Sequence, residues 1–155
     1  MADGIDVPLN YNRITNRLLL GSRPQTPADV DALAAVSVSH ILNVCATDDT
    51  PNLTGLFKTD STRYLWNVAL DDSQPKPVDW FQRSLRFAMP LLAQEGNIIY
   101  VHCYNGIDRS AATVYAILQA FGLSAVDAWA LIKLHRPVAL WRYMDDATKA
   151  VGIGW

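Results

Sequence analysis

A chain of 155 residues, half of them apolar and 18% charged, is long enough for one domain with a sizeable core. Its formal net charge of −2 at pH 7 offers no electrostatic footprint for nucleic acid or for an anionic membrane surface. No apolar stretch approaches the roughly 18 residues of a membrane span, and Met1-Ala2-Asp3-Gly4 lacks the basic and apolar regions of a signal peptide. The expectation is a cytoplasmic, monomeric protein without membrane insertion, a single domain over 1–155 with its core over about 11–150. Two cysteines, Cys45 and Cys103, exclude a disulfide framework. No His/Cys/carboxylate cluster has metal-ligand spacing, so neither metal nor cofactor is expected.

In chain order, Asn16-Arg17-Leu18-Leu19-Leu20-Gly21-Ser22 reads as a short strand closed by glycine. Thr26-Pro27 sets an N-cap and a proline at the first helical position, opening a helix through about Val36 with Val30, Leu33 and Val36 on one face. His40–Cys45 and Tyr64–Leu70 read as strands, separated by a polar loop containing Asp48-Asp49-Thr50-Pro51. A second loop, Asp71-Asp72-Ser73-Gln74-Pro75-Lys76-Pro77, precedes a helix over Val78–Ala93. That helix has Phe81, Leu85, Ala88 and Leu92 on its apolar face, and Pro90 is expected to kink or shorten it. Ile98–Val101 is the central strand, and the helix that opens at Ser110 ends near Gly122. Ser124 with Asp127 resembles a capping box for a helix that runs towards His135 and stops before Pro137. A last helix is expected from about Leu140 to Val151. Strands alternating with helices imply an α/β fold, a largely parallel central sheet flanked by helices, with a site at a strand's C-terminal end.

The most informative stretch is Val101-His102-Cys103-Tyr104-Asn105-Gly106-Ile107-Asp108-Arg109-Ser110. A strand, a tight loop and a helix N-terminus follow one another here, and such a loop aims backbone N–H groups at one point. Residues Tyr104 to Asp108 would cradle a tetrahedral dianion, and Arg109 would grip two of its oxygens as a planar fork. Cys103 would sit beneath, where the helix dipole and Arg109 favour the thiolate. A buried structural thiol, a turn glycine and a surface arginine account for each residue singly, but not for their fall within eight positions.

This stretch resembles the signature of the cysteine-dependent protein tyrosine phosphatases: cysteine, five residues, arginine, then serine or threonine. The compact dual-specificity branch is the nearest in element order, from Arg17 to about Met144. The resemblance implies that Cys103 attacks phosphorus to form a cysteinyl phosphate, with Arg109 and the loop amides stabilising the equatorial oxygens. It implies that Ser110 donates a hydrogen bond to the sulfur and that His102 orders the loop. It also implies an aspartate general acid on a loop some thirty residues upstream. Asp71 and Asp72 precede Cys103 by 32 and 31 residues, and Asp71 fits the register better. A like-charged neighbour would raise one of that pair, which suits an acid. The implied partners are phosphorylated proteins or small phosphorylated molecules. The tensin-like lipid phosphatases carry a cysteine near the nucleophile at a strand end like that of Cys45, which makes Cys45 a candidate redox partner of Cys103.

Two positions depart from the dual-specificity pattern, which has alanine and serine where this chain has Asn105 and Asp108. The myotubularin lipid phosphatases also place an acid directly before the arginine. Asp108 is therefore either a supplementary proton donor or a carboxylate paired with a basic group that orients the loop. An inositol phosphate or phosphoinositide substrate stands as the alternative to a phosphoprotein, although the loop lacks the lysines of phosphoinositide-selective enzymes. The remaining rival is an inactive phosphate-binding module. Trp66 and Trp80 flank the acid loop and are expected to pack or to line the site's mouth, Trp129 to join the core, and Arg136 to be structural.

Overall fold

Leu18, Leu20, Leu42, Ile99 and Val101 alternate along the chain with Leu19, Ile41 and Tyr100, and this alternation sorts them to the two faces of one sheet. The computed structural model describes residues 8–46 and 63–155. Among the described residues five strands carry the sheet: β1 Tyr11–Thr15, β2 Leu18–Gly21, β3 His40–Asn43, β4 Tyr64–Trp66 and β5 Ile99–His102. Their spatial order is β1-β2-β5-β3-β4, parallel throughout except for the β1–β2 pair. β5 lies in the middle, buried at every position, as expected of a parallel strand paired on both edges and covered on both faces.

Helix α1, Pro27–Ala35, covers one face, with Val30 and Leu33 against Leu19, Ile41 and Tyr100. Its start is the Thr26–Asp29 capping box with proline inside the first turn. Helices α2 Val78–Leu92, α3 Arg109–Ala120, α4 Ala125–His135 and α5 Met144–Ile153 cover the other face. α3 packs on β2, β5, α2, α4 and α5, so it is buried from Arg109 to Leu118. That leaves its N-terminus rigidly placed at the end of the central strand. None of the described helices is long and apolar enough to cross a membrane.

Four elements differ from the sequence reading. β1 was not expected, because Tyr11-Asn12-Arg13-Ile14-Thr15 buries only Ile14 and forms an edge strand with an irregular register. The strand expected over Tyr64–Leu70 pairs only as far as Trp66. Its partner β3 ends at Asn43, and Asn67 turns out of the sheet to donate to Trp80 O and Ser84 Oγ, both at 2.7 Å. α2 runs past Pro90, since a proline so near the C-terminus removes a single intrahelical bond and the Ala93 N–H still reaches Met89 O. The last helix begins four residues late, at Met144, because the preceding segment is held by the loop after β5. There the Leu140 N–H donates to Ile107 O, and Tyr143 takes a left-handed backbone at φ 68°. The polar loop over Asp48–Pro51 and the first residues of the chain lie outside the described residues.

Candidate active site

The loop between β5 and α3 is shaped by where its carbonyls go. Tyr104 O accepts from the Arg23 N–H, Asn105 O and Gly106 O accept from the Arg136 guanidinium, and Ile107 O accepts from the Leu140 N–H. Asp108 O takes the first helical bond, from the Ala112 N–H. Every partner lies outside the loop. In a trans peptide the C=O and N–H point in opposite directions, so the N–H groups of Asn105, Gly106, Ile107 and Asp108 turn to the loop's inside. Gly106 is required twice over. It sits at φ +69°, and a Cβ there would run into the backbone of Gly21 on β2.

Arg109, the first residue of α3, is 5% exposed. One Nη1–H donates to Ala69 O at 2.8 Å on the acid-loop side, while its buried Nε has no hydrogen-bond partner among the described residues. A buried guanidinium edge without an acceptor, beside a ring of inward amides, is a place for an anion. Cys103 is 3% exposed, and its Sγ lies 3.1 Å from Ser110 Oγ, the position of a hydroxyl donating to a thiolate. His102 is fully buried, with Nδ1 3.1 Å from Cys103 O and 3.8 Å from Cys45 Sγ. Cys45 and Cys103 are both free and buried. Tyr104, by contrast, is half exposed, with Arg23 stacked 4.0 Å over its ring.

The two acids of the upstream loop face different ways. Asp72 forms an ion pair with Lys76 Nζ at 2.7 Å and accepts from the Gln74 N–H, and these contacts hold its carboxyl below the ordinary value of 3.8. Asp71 faces the phosphate loop, where Tyr143 Oη donates to its Oδ1 at 3.1 Å. The like-charged partner the sequence suggested for Asp71 is thus not its neighbour Asp72 but Asp108. Burial first, and then the charge of Asp71, push Asp108 above the usual carboxylate value, while Arg142 and Arg109 pull it down. Arg142 Nη1 donates to Asp108 Oδ2 at 2.9 Å and lies 4.0 Å from Asp71 Oδ1.

Arg142 and Tyr143 were missed by the sequence reading, since nothing in a segment expected to be helical marks two side chains for a loop seventy residues away. Arg136 was read only as structural, and its reach into the loop was not visible either. Trp80 is buried, with Nε1 donating to Asn67 O, and Trp66 Nε1 donates to Cys45 O, so both pack. Trp129 is only partly buried, against the core and edge-on to Trp141. No group of three or more metal-ligating side chains occurs among the described residues.

Comparison with known proteins agrees with this geometry. The family model "Dual specificity phosphatase, catalytic domain" matches residues 18–144. Human dual specificity protein phosphatase 2 is 31% identical over 124 residues, which is 78% of this chain and 36% of that protein. The chain spans about a third of the length of the curated relatives it matches. Among solved structures, human DUSP28 superposes with a TM-score of 0.78 at 25% identity, covering 95% of this chain and 96% of that one. PTPMT1 in complex with PI(5)P superposes with a TM-score of 0.74 at 20% identity, covering 92% and 95%. With the loop, the sheet order and the matched segment in agreement, the chain belongs to the dual specificity phosphatase catalytic-domain family.

Proposed function

We propose that this domain hydrolyses phosphate monoesters, phosphotyrosine and/or phosphoserine/threonine in proteins, through a cysteinyl-phosphate intermediate. The reading is carried by the loop whose carbonyls are all held from outside, beside a buried Arg109 Nε–H that has no acceptor among the described residues. The Cys103 thiolate attacks phosphorus, the P–S bond forms and the P–O bond to the leaving group breaks. The equatorial oxygens are stabilised by loop amides and Arg109. Asp71 gives its proton to the leaving oxygen. In the second step the Asp71 carboxylate takes a proton from water as the water oxygen bonds phosphorus, and the thiolate leaves with the Ser110 hydroxyl donating to it. Asp71 is preferred to Asp72 because Asp72 is turned to Lys76, whereas Asp71 is held by Tyr143 beside the phosphate loop. Thiolate chemistry calls for a reducing compartment.

An inositol phosphate or phosphoinositide is the second reading. Asp108 and the fold shared with the PI(5)P-bound PTPMT1 favour it, and the absence of lysine between Cys103 and Ser110 weighs against it. The test is the initial rate of phosphate release from phosphotyrosine peptide, phosphothreonine peptide, phosphoinositides and inositol polyphosphates, for wild type and Cys103→Ser. Cys103-dependent release from a phosphopeptide is expected. Release confined to inositol compounds selects the second reading, and no Cys103-dependent release from any of the four leaves only a phosphate-binding module.

A further inference from the structure

Asp108 has no task in the reaction above, yet it is buried in the phosphate loop, where a bare carboxylate would repel a dianion. Its surroundings supply the answer. The Asp108 and Asp71 carboxyls converge on one guanidinium nitrogen, so a single proton held between them balances the charge of that cation, and the charge of Asp71 adds to burial in raising Asp108. Arg142 bridges them, at 2.9 Å from Asp108 Oδ2 and 4.0 Å from Asp71 Oδ1. The next residue, Tyr143, donates to Asp71 Oδ1 and accepts from the Ser73 N–H at 3.0 Å. The segment that carries both is anchored on the phosphate loop through the Leu140 N–H to Ile107 O bond. The acid loop and the phosphate loop are therefore joined by one short stretch of chain ahead of α5.

We propose that Arg142 is a positioning residue that latches Asp71 to Asp108, so that the two carboxyls share one proton and deliver it to the leaving oxygen as a unit. The proposal rests on the phosphatase reading above. The charged and titratable groups that face the pair are Arg142 and Tyr143 from the segment before α5 and Arg109 from α3. In the first step the O–H bond of the pair breaks and its proton goes to the leaving oxygen as the P–O bond breaks. The resulting dicarboxylate is offset by Arg142. In the second step the pair regains a proton from the attacking water. A protonated pair also removes the repulsion that an ionised Asp108 would impose on an arriving dianion.

Phenyl phosphate, with a poor leaving group, and p-nitrophenyl phosphate, with a good one, are suitable probes. Rates against pH are measured for wild type, Asp108→Asn, Arg142→Met and Arg142→Lys, with Cys103→Ser as the zero and thermal unfolding as the folding control. Loss of the neighbouring charge in Asp108→Asn moves the alkaline limb for phenyl phosphate to lower pH, and loss of the cation in Arg142→Met moves it to higher pH. Arg142→Met also lowers kcat about 10-fold on phenyl phosphate with little change in KM, and less on p-nitrophenyl phosphate. Arg142→Lys returns the limb to the wild-type position. Alkaline limbs unmoved in both charge-changing variants, with turnover still dependent on Cys103, overturn the latch and leave the phosphatase standing. Turnover that Cys103→Ser does not reduce overturns both.

Discussion

Among the described residues Arg136 is the largest fully buried side chain, and it is a cation. Its guanidinium donates to four oxygens: Gly106 O at 2.6 Å, Asn105 O at 3.0 Å, and the side-chain oxygens of Asn12 at 2.9 Å and Asn10 at 3.1 Å. The fork both satisfies two loop carbonyls and turns the following N–H groups the other way. Arg136→Met is expected to cost about 3 kcal/mol in urea unfolding, because it strands buried acceptors. It should also depress phosphate release in the fraction that folds, since the Asn105 and Gly106 carbonyls lose what orients them. Lysine has no fork, so Arg136→Lys should not restore the rate, and a fully active lysine variant would refute this role. Gly106→Ala tests the same loop from within. A left-handed backbone and a Cβ against Gly21 leave no room for alanine, so loss of both stability and turnover is expected.

Among the elements, α3 and the acid loop divide the work unequally. α3 is packed on every side and presents Arg109 from a fixed base. The acid loop is mostly exposed and depends on tethers: Ala69 O to Arg109, Ser73 N–H and Asp71 to Tyr143, and the Lys76 N–H to Asp146 Oδ2 at 2.9 Å. Its path starts at Asn67, buried where β4 leaves the sheet. Asn67→Ala would leave Trp80 O and Ser84 Oγ without their donor, at a cost of about 2 kcal/mol. The acid loop would then be held by fewer contacts. The expected signature is a fall in rate that is larger for phenyl phosphate than for p-nitrophenyl phosphate, because only the former depends on a well-placed proton donor. Equal losses on both would place the effect elsewhere than in the acid.

For the whole molecule, two carboxyls give stability opposite dependences on pH. Asp108 is raised in the folded state, so its contribution is full below the unfolded value of 3.8 and is lost as pH rises through its folded pKa. Asp72 is lowered, so its contribution is present above 3.8 and is lost as pH falls through its folded pKa. Asp72 is exposed and its ion pair is screened by solvent, so Asp108 dominates. Urea midpoints of Asp108→Asn relative to wild type should rise progressively as pH increases from 3.8 through the Asp108 titration. A difference that stays constant across that range would mean Asp108 ionises as freely folded as unfolded.

The sequence alone determined the phosphate loop, because Cys103, Gly106, Arg109 and Ser110 lie within eight residues and their chemistry follows from local strand–loop–helix geometry. It also determined the main helices and the central strands, whose apolar periodicities and caps are local signals. It could not reveal that β4 stops at Trp66, since pairing ends where a neighbouring strand ends. Nor could it show which carboxyl faces Asp71. Chain adjacency put Asp72 there, whereas packing turned Asp72 to Lys76 and brought in Asp108, thirty-seven residues further on. Arg136, Arg142 and Tyr143 reach the site only because α3 and the sheet bring the segment between α4 and α5 back over the loop. The reacting groups were legible because they are contiguous; the groups that orient them were decided by tertiary structure, because long-range packing, and not spacing, sets which charges meet.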